Sequence, residues 1–145
     1  MARGNPDFFG QASILTTGTW KYALIPPVPL NVNESKTIID IDIKGILQSL
    51  VIEISFNSIL SVCRIDMTLD AGDALVEFAD FAGNCVGCNS YQNVFVLSYA
   101  DKVQKLMRYT LKDNISLNSR LKIVTYALID TIIYVGGRLY YSEVE

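Results

Sequence analysis

The chain predicts an all-β protein, an antiparallel β-sandwich of jelly-roll type with eight to ten short strands. Three observations carry that prediction. Apolar and polar residues alternate with a period of two through residues 37–69, the spacing that puts one side of a strand in a core and the other in water. Turn-forming clusters recur at roughly ten-residue intervals. No stretch shows a clear helical period, so the short strands have to pack as two sheets.

The alternating block opens with Ile39, Ile41 and Ile43 set against Asp40, Asp42 and Lys44. After Gly45 the alternation resumes, with Leu50, Ile52, Ile54 and Phe56 on one side and Val51, Glu53 and Ser55 on the other. Asn57-Ser58 breaks the run. A third strand sets Cys63, Ile65, Met67 and Leu69 against Arg64, Asp66 and Thr68, and Asp70-Ala71-Gly72-Asp73 closes it as a hairpin turn. Read in sequence, the three form an antiparallel block.

The flanking elements follow the same logic. Ile14–Thr17 and Trp20–Ile25 read as two short strands around Gly18. Pro26-Pro27-Val28-Pro29 imposes an extended segment poor in hydrogen bonds, which belongs at a sheet edge or at a crossover between sheets. Asn31–Lys36 is a polar turn. Leu75–Phe78 is a short strand, residues 79–93 a loop, and Val94–Tyr99 a further strand. Residues 100–112 fit either a helical face or a strand, and extended structure from about Leu106 is the preferred reading. Leu121–Leu128 alternates again, and Thr131–Tyr141, interrupted by Gly136-Gly137, closes the chain.

Length and composition bound the rest. With 145 residues, half of them hydrophobic and 19% charged, the chain has the make-up of one packed domain. Residues 14–145 are that domain, preceded by an irregular arm over residues 1–13. The net charge of -3 and the lack of a basic cluster argue against nucleic acid as a partner. Absence of histidine excludes Ser-His-Asp and Cys-His catalysis and removes the commonest metal ligand. The start has no apolar signal core, and Asp40, Asp42, Lys44, Glu53 and Asp130 interrupt every apolar run before it could span a membrane. The expectation is a soluble, non-enzymatic protein with no cofactor.

Three sets of residues are candidates for something beyond packing. Cys85 and Cys88 have the spacing of half a zinc site or of a redox pair. With Cys63 inward on its strand and no histidine, they read as unremarkable loop thiols, as a disulfide within or between subunits, or as metal ligands completed from elsewhere. Arg3, Phe8 and Phe9 form an arm whose rings either fold back on the domain or dock into a neighbour. Trp20, Tyr140 and Tyr141, with Tyr99, Tyr126 and Tyr134, either pack half-buried or line an exposed aromatic surface. Asp40 and Asp42 share one face of a strand, which suits general acid–base work or calcium, but such carboxylates are far more often solvated outer-face charges. Asp70 with Asp73 lacks the remaining ligands of a calcium loop and reads as a hairpin turn.

The stretch from Leu30 to Asp70 resembles a pattern in structural proteins of tailed phages and archaeal viruses. There a polar turn precedes a strand ending in Gly, then come a Leu-x-Ser strand, an Asn-Ser turn and a strand closing on Asp and Gly. Gly45, Leu47, Ser49, Asn57-Ser58, Asp70 and Gly72 hold those positions. Leu121-Lys122-Ile123 is similar to the penultimate strand of those sandwiches, and RGNPDFFG looks like the N-terminal arm of some phage proteins. Ala71 and Asp73 depart from the usual Asp-Gly pair. The resemblance implies a virion component that works by symmetric self-assembly and by contacts with other virion proteins in a capsid, vertex, neck or tail. It transfers no catalytic residue. The alternative function is a host-attachment module that recognises a cell-surface glycan.

Overall fold

The computed structural model describes residues 18–81, 95–129 and 132–144. Within them lie ten strands and no helix: β1 (Gly18–Leu30), β2 (Ser35–Asp42), β3 (Gly45–Phe56), β4 (Val62–Leu69), β5 (Leu75–Asp80), β6 (Phe95–Asp101), β7 (Leu106–Leu111), β8 (Ile115–Leu117), β9 (Arg120–Ile129) and β10 (Ile132–Val144). The arm with Arg3, Phe8 and Phe9, the Ile14–Thr17 strand and the Cys85/Cys88 pair lie outside the described residues.

The strands form two antiparallel sheets. One has the order β1-β10-β3-β7-β6, with β8 continuing the β7 side of β3, and the other has the order β2-β9-β4-β5. The chain crosses between sheets at each step from β1 to β4 and again from β8 to β10: β1, β3 and β10 belong to one sheet, and β2, β4 and β9 to the other. This is the jelly-roll winding, a long antiparallel pair rolled into a sandwich. It corrects one expectation. β2, β3 and β4 are present, but no two of them are neighbours, because each turn between them carries the chain across the sandwich. Alternation marks which side of a strand is buried and says nothing about which strand lies beside it.

The inward rows meet in a single core. Leu50, Ile52, Ile54 and Phe56 of β3 lie in one cluster with Cys63, Ile65 and Met67 of β4, Leu121 and Ile123 of β9, and Val135 and Leu139 of β10. Each fully buried aliphatic side chain contributes about 1.5–3 kcal/mol. Phe56 meets Phe81 edge-on at 5.4 Å between ring centres. Cys63 is fully buried, and burial pushes its thiol up to about 12, so it behaves as a small apolar side chain. Burial, reinforced by the nearby Glu77 carboxylate, likewise raises the Tyr109 phenol.

Glycines produce two further corrections. Gly45 starts β3 instead of ending the preceding strand, and Gly136-Gly137 does not interrupt β10. Both sites are places of close backbone approach. A Cβ at Gly45 would fall on the Ser142 carbonyl oxygen, and one at Gly137 on that of Val51. Gly18 likewise begins β1, which runs on through the proline segment as the edge strand beside β10. Register shifts at Ile25/Val28 and Val28/Leu30 accommodate the prolines.

Candidate functional site

The outward rows of the two sheets differ in chemistry. On the four-stranded sheet, paired charges stand among half-buried Val76, Phe78, Val124 and Tyr126. Arg120 Nε and Nη2 donate to the two Asp40 carboxylate oxygens, each at 2.7 Å. Arg64 makes the same fork with Asp66 at 2.8 and 3.1 Å, and its guanidinium lies 5.2 Å from the centre of the Tyr126 ring. The bond to Arg120 holds the Asp40 carboxyl below its ordinary range.

On the six-stranded sheet, large exposed aromatic and aliphatic side chains stand among polar ones such as Glu53, Arg108 and Arg138. Trp20, Tyr22 and Leu24 alternate along β1 and are all exposed, Leu24 to 68%. Beside them on β10 stand Tyr140 and Tyr134, and across the sheet on β6 stand Val96 and Tyr99. Trp20 and Tyr140 stack with their rings 5.2 Å apart and 10° from parallel. Tyr99 lies against Arg108, whose Nε donates to Glu53 at 2.7 Å.

Near the middle of this face Gly136 has no side chain, and the surface dips. The recess holds about 180 Å³ and is lined by Leu24, Pro27, Glu53, Leu106, Tyr134 and Arg138 among others. Arg138 is exposed, and among the described residues it has no ion-pair partner.

The structure brings Trp20 and Tyr140 together and separates Tyr141 from them. Tyr141 pairs with Leu47 and packs half-buried against the core, on the opposite side of the sheet. Tyr126 belongs to the other sheet altogether. The period of two already separates adjacent residues, so the sequence carried that signal. Tyr22, Leu24, Arg138 and the recess were not singled out, because a row such as Trp20-x-Tyr22-x-Leu24 reads first as a core row.

The far ends of the strands carry a second construction that sequence reading missed. The Asp70 carboxylate accepts the backbone N–H groups of Asn118, Ser119 and Arg120, at 2.7–3.1 Å. Those bonds tie the β4–β5 turn to the β8–β9 turn and hold the Asp70 carboxyl below its ordinary value. Asp70 is thus a structural clamp as well as a turn residue. Among the described residues no group of three or more Cys, Asp or Glu could hold a metal ion, and no helix is long and apolar enough to cross a membrane.

Fold and face together define a jelly-roll sandwich whose six-stranded sheet exposes the larger apolar side chains. No family model matches the sequence, and no curated protein matches it. Among solved structures, the chain is similar to the crystal structure of the infectious bursal disease virus VP2 subviral particle, at 9% identity and a TM-score of 0.29. That likeness covers 88% of this chain and 41% of the other. It is a distant and partial resemblance.

Proposed function

We propose that the protein is a structural component of a virus particle, which assembles with further copies of itself through the outer face of its six-stranded sheet. The observation that carries this reading is the aromatic and aliphatic row of Trp20, Tyr22, Leu24, Tyr134 and Tyr140 on that face. Apolar groups gathered on one face favour association, since a solitary domain gains nothing by keeping them in water. Of the charges between them, Arg108 is paired to Glu53, and Arg138 is left over among the described residues. Two copies meeting there would have one unpaired cation each, Arg138, to keep apart. The sequence pattern shared with phage and archaeal-virus structural proteins points the same way, and other virion proteins are further partners in this reading.

Light scattering on the purified chain tests it. The expected result is an oligomer of the 16.1 kDa chain that falls to monomer in the Tyr22→Lys/Leu24→Glu double variant. A parent protein that is monomeric at high concentration would overturn the proposal. The stacked Trp20–Tyr140 pair favours a second reading, a glycan-binding module of the same fold, in which exposed rings face a sugar. A monomer that loses binding to a glycan array when Trp20 becomes Ala would favour it.

A further inference from the structure

The two sheets end on four strands, β1 and β6 in one and β2 and β5 in the other. The outer side of such a strand offers a row of backbone N–H and C=O groups to any further strand, and folded chains ordinarily blunt it. Three of the four are blunted here. β2 has a register shift between Thr37 and Ile39 and exposes Asp40 and Asp42. β6 has a shift between Leu97 and Tyr99. β5 is only six residues long and turns the Glu77 side chain inward, where it is buried. Charge, a bulge, shortness and an inward carboxylate each discourage a further strand.

β1 has none of these from Gly18 to Ile25. That stretch runs beside β10, from Val144 to Gly137, without a register shift. Its one charged residue, Lys21, is paired with Glu143. Among the described residues no strand pairs with its outer side. Pro26, Pro27 and Pro29 then end the stretch, since proline has no N–H to give to a ladder.

The residues of this stretch select the partner. A second copy of β1 related by a two-fold axis runs antiparallel and keeps the same face outward, so only every second register is allowed. Centred on Lys21, the pairing sets two ammonium groups directly opposite each other, which is unfavourable. Centred on Ala23, it sets Trp20 against Pro26 and shortens the ladder. Centred on Tyr22, it places Trp20 opposite Leu24, Tyr22 opposite its own copy and Lys21 opposite Ala23. That ladder fills Thr19–Ile25 before Pro26 stops it, and its outer row consists of aromatic and aliphatic cross-strand pairs, which are favourable.

We propose that two copies of the chain join edge to edge through β1, antiparallel and centred on Tyr22, so that their six-stranded sheets become one continuous sheet. Main-chain hydrogen bonds across the junction supply the attraction, and the side-chain pairs fix the register. The exposed Trp20, Tyr22 and Leu24 of both copies then form one strip across the junction. The inference rests on the self-assembly reading in requiring that copies associate, but its contact is the strand edge and not the sheet's outer face.

Cysteine trapping under mild oxidation, in a Cys85→Ser/Cys88→Ser background, tests the register. Directly opposite residues of an antiparallel pair have Cα atoms about 4.5–5.5 Å apart, within reach of a disulfide. Tyr22→Cys should therefore give a band at twice the 16.1 kDa chain mass. Trp20→Cys mixed with Leu24→Cys should give the same band. Trp20→Cys alone should not, because its two copies lie about 14 Å apart along the strands. All three side chains are exposed, so thermal midpoints should stay near that of the parent. The proposal is overturned if Tyr22→Cys remains a single chain, or if Trp20→Cys alone cross-links as readily as the mixture. Tyr134→Lys/Val96→Asp alters the sheet face away from this edge and should leave the Tyr22→Cys cross-link in place. A parent oligomer without that cross-link would remove this inference and leave the face reading standing. A cross-linked dimer whose mass Tyr134→Lys/Val96→Asp does not change would support the edge contact and remove the face reading.

Discussion

The outer faces of the two sheets are built by the same rule and end up exposing different side chains. In both, an antiparallel strand turns every second residue outward. On the four-stranded sheet those residues include Asp40, Arg64, Asp66 and Arg120, joined in two-pronged pairs among half-buried Val76, Phe78 and Val124. On the six-stranded sheet they include exposed Trp20, Tyr22, Leu24, Tyr134 and Tyr140 beside Glu53, Arg108 and Arg138. Folding needs only the inner rows, and the four-stranded sheet shows that a charged outer row is compatible with this core. The aromatic row is therefore not a requirement of the fold. In the proposed reading it belongs to the contact between copies.

The largest effect tests the geometry underneath the apolar face. Gly137 sits at φ 153° beside the recess, where its added Cβ would strike the Val51 carbonyl oxygen. Backbone atoms cannot step aside as a side chain can. Gly137→Ala should cost about 3 kcal/mol in a urea titration, from overpacking and local strain together. A variant as stable as the parent would mean that β10 does not approach β3 so closely, and the recess would lose its floor.

Next in size is an effect on assembly and not on stability. The Tyr22→Lys/Leu24→Glu variant should lower the solution mass, whereas Thr68→Glu on the charge-paired face should leave it unchanged. If both variants lower the mass, the two faces are equivalent and the contrast has no functional content.

Most of the strand plan was legible, for a physical reason. The alternation through β2, β3, β4 and β9 reflects burial of one side, and burial is what a period of two reports. Neighbour relations were not legible, since nothing in the isoleucines of β2 distinguishes β9 from β3 as a partner. Gly45 and Gly137 read as punctuation because the turn role and the close-approach role of glycine look alike in a sequence. The candidate surface was half visible. Trp20 and Tyr140 could be named as aromatic, but only the register that puts Tyr22 opposite Tyr140 shows that they share a face. The Asp70 clamp spans about fifty residues of chain, and no local pattern announces such a contact.

That clamp gives a smaller, pH-dependent effect that lies outside both faces. Backbone N–H groups of Ser119, Arg120 and Asn118 stabilise the Asp70 carboxylate, so its folded-state value lies below the ordinary 3.8. A group depressed in this way contributes stability above its unfolded value and loses the contribution as pH falls through the folded one. Acid below about pH 4 should therefore weaken the end that Asp70 holds together. Asp70→Asn should lower the midpoint at neutral pH and shrink the difference between neutral and acid. An unchanged acid profile in that variant would assign the acid sensitivity to other carboxylates, such as Asp40 on the charged face.

The smallest effect is expected where the structure shows the most visible bonds. Arg64 forks onto Asp66 and covers Tyr126, yet its side chain is 40% exposed. Exposed ion pairs gain little, because water screens the charges and ordering two side chains costs entropy. Arg64→Ala should leave the solution mass unchanged and shift the urea midpoint only marginally, through lost cover on the Tyr126 ring. A drop in mass on this substitution would show that the charged face is itself a contact surface. Ion pairs would then be the adhesive of the assembly, and the aromatic row of the six-stranded sheet would need a different partner, with the exposed rings of Trp20 and Tyr140 left to a ligand such as a sugar.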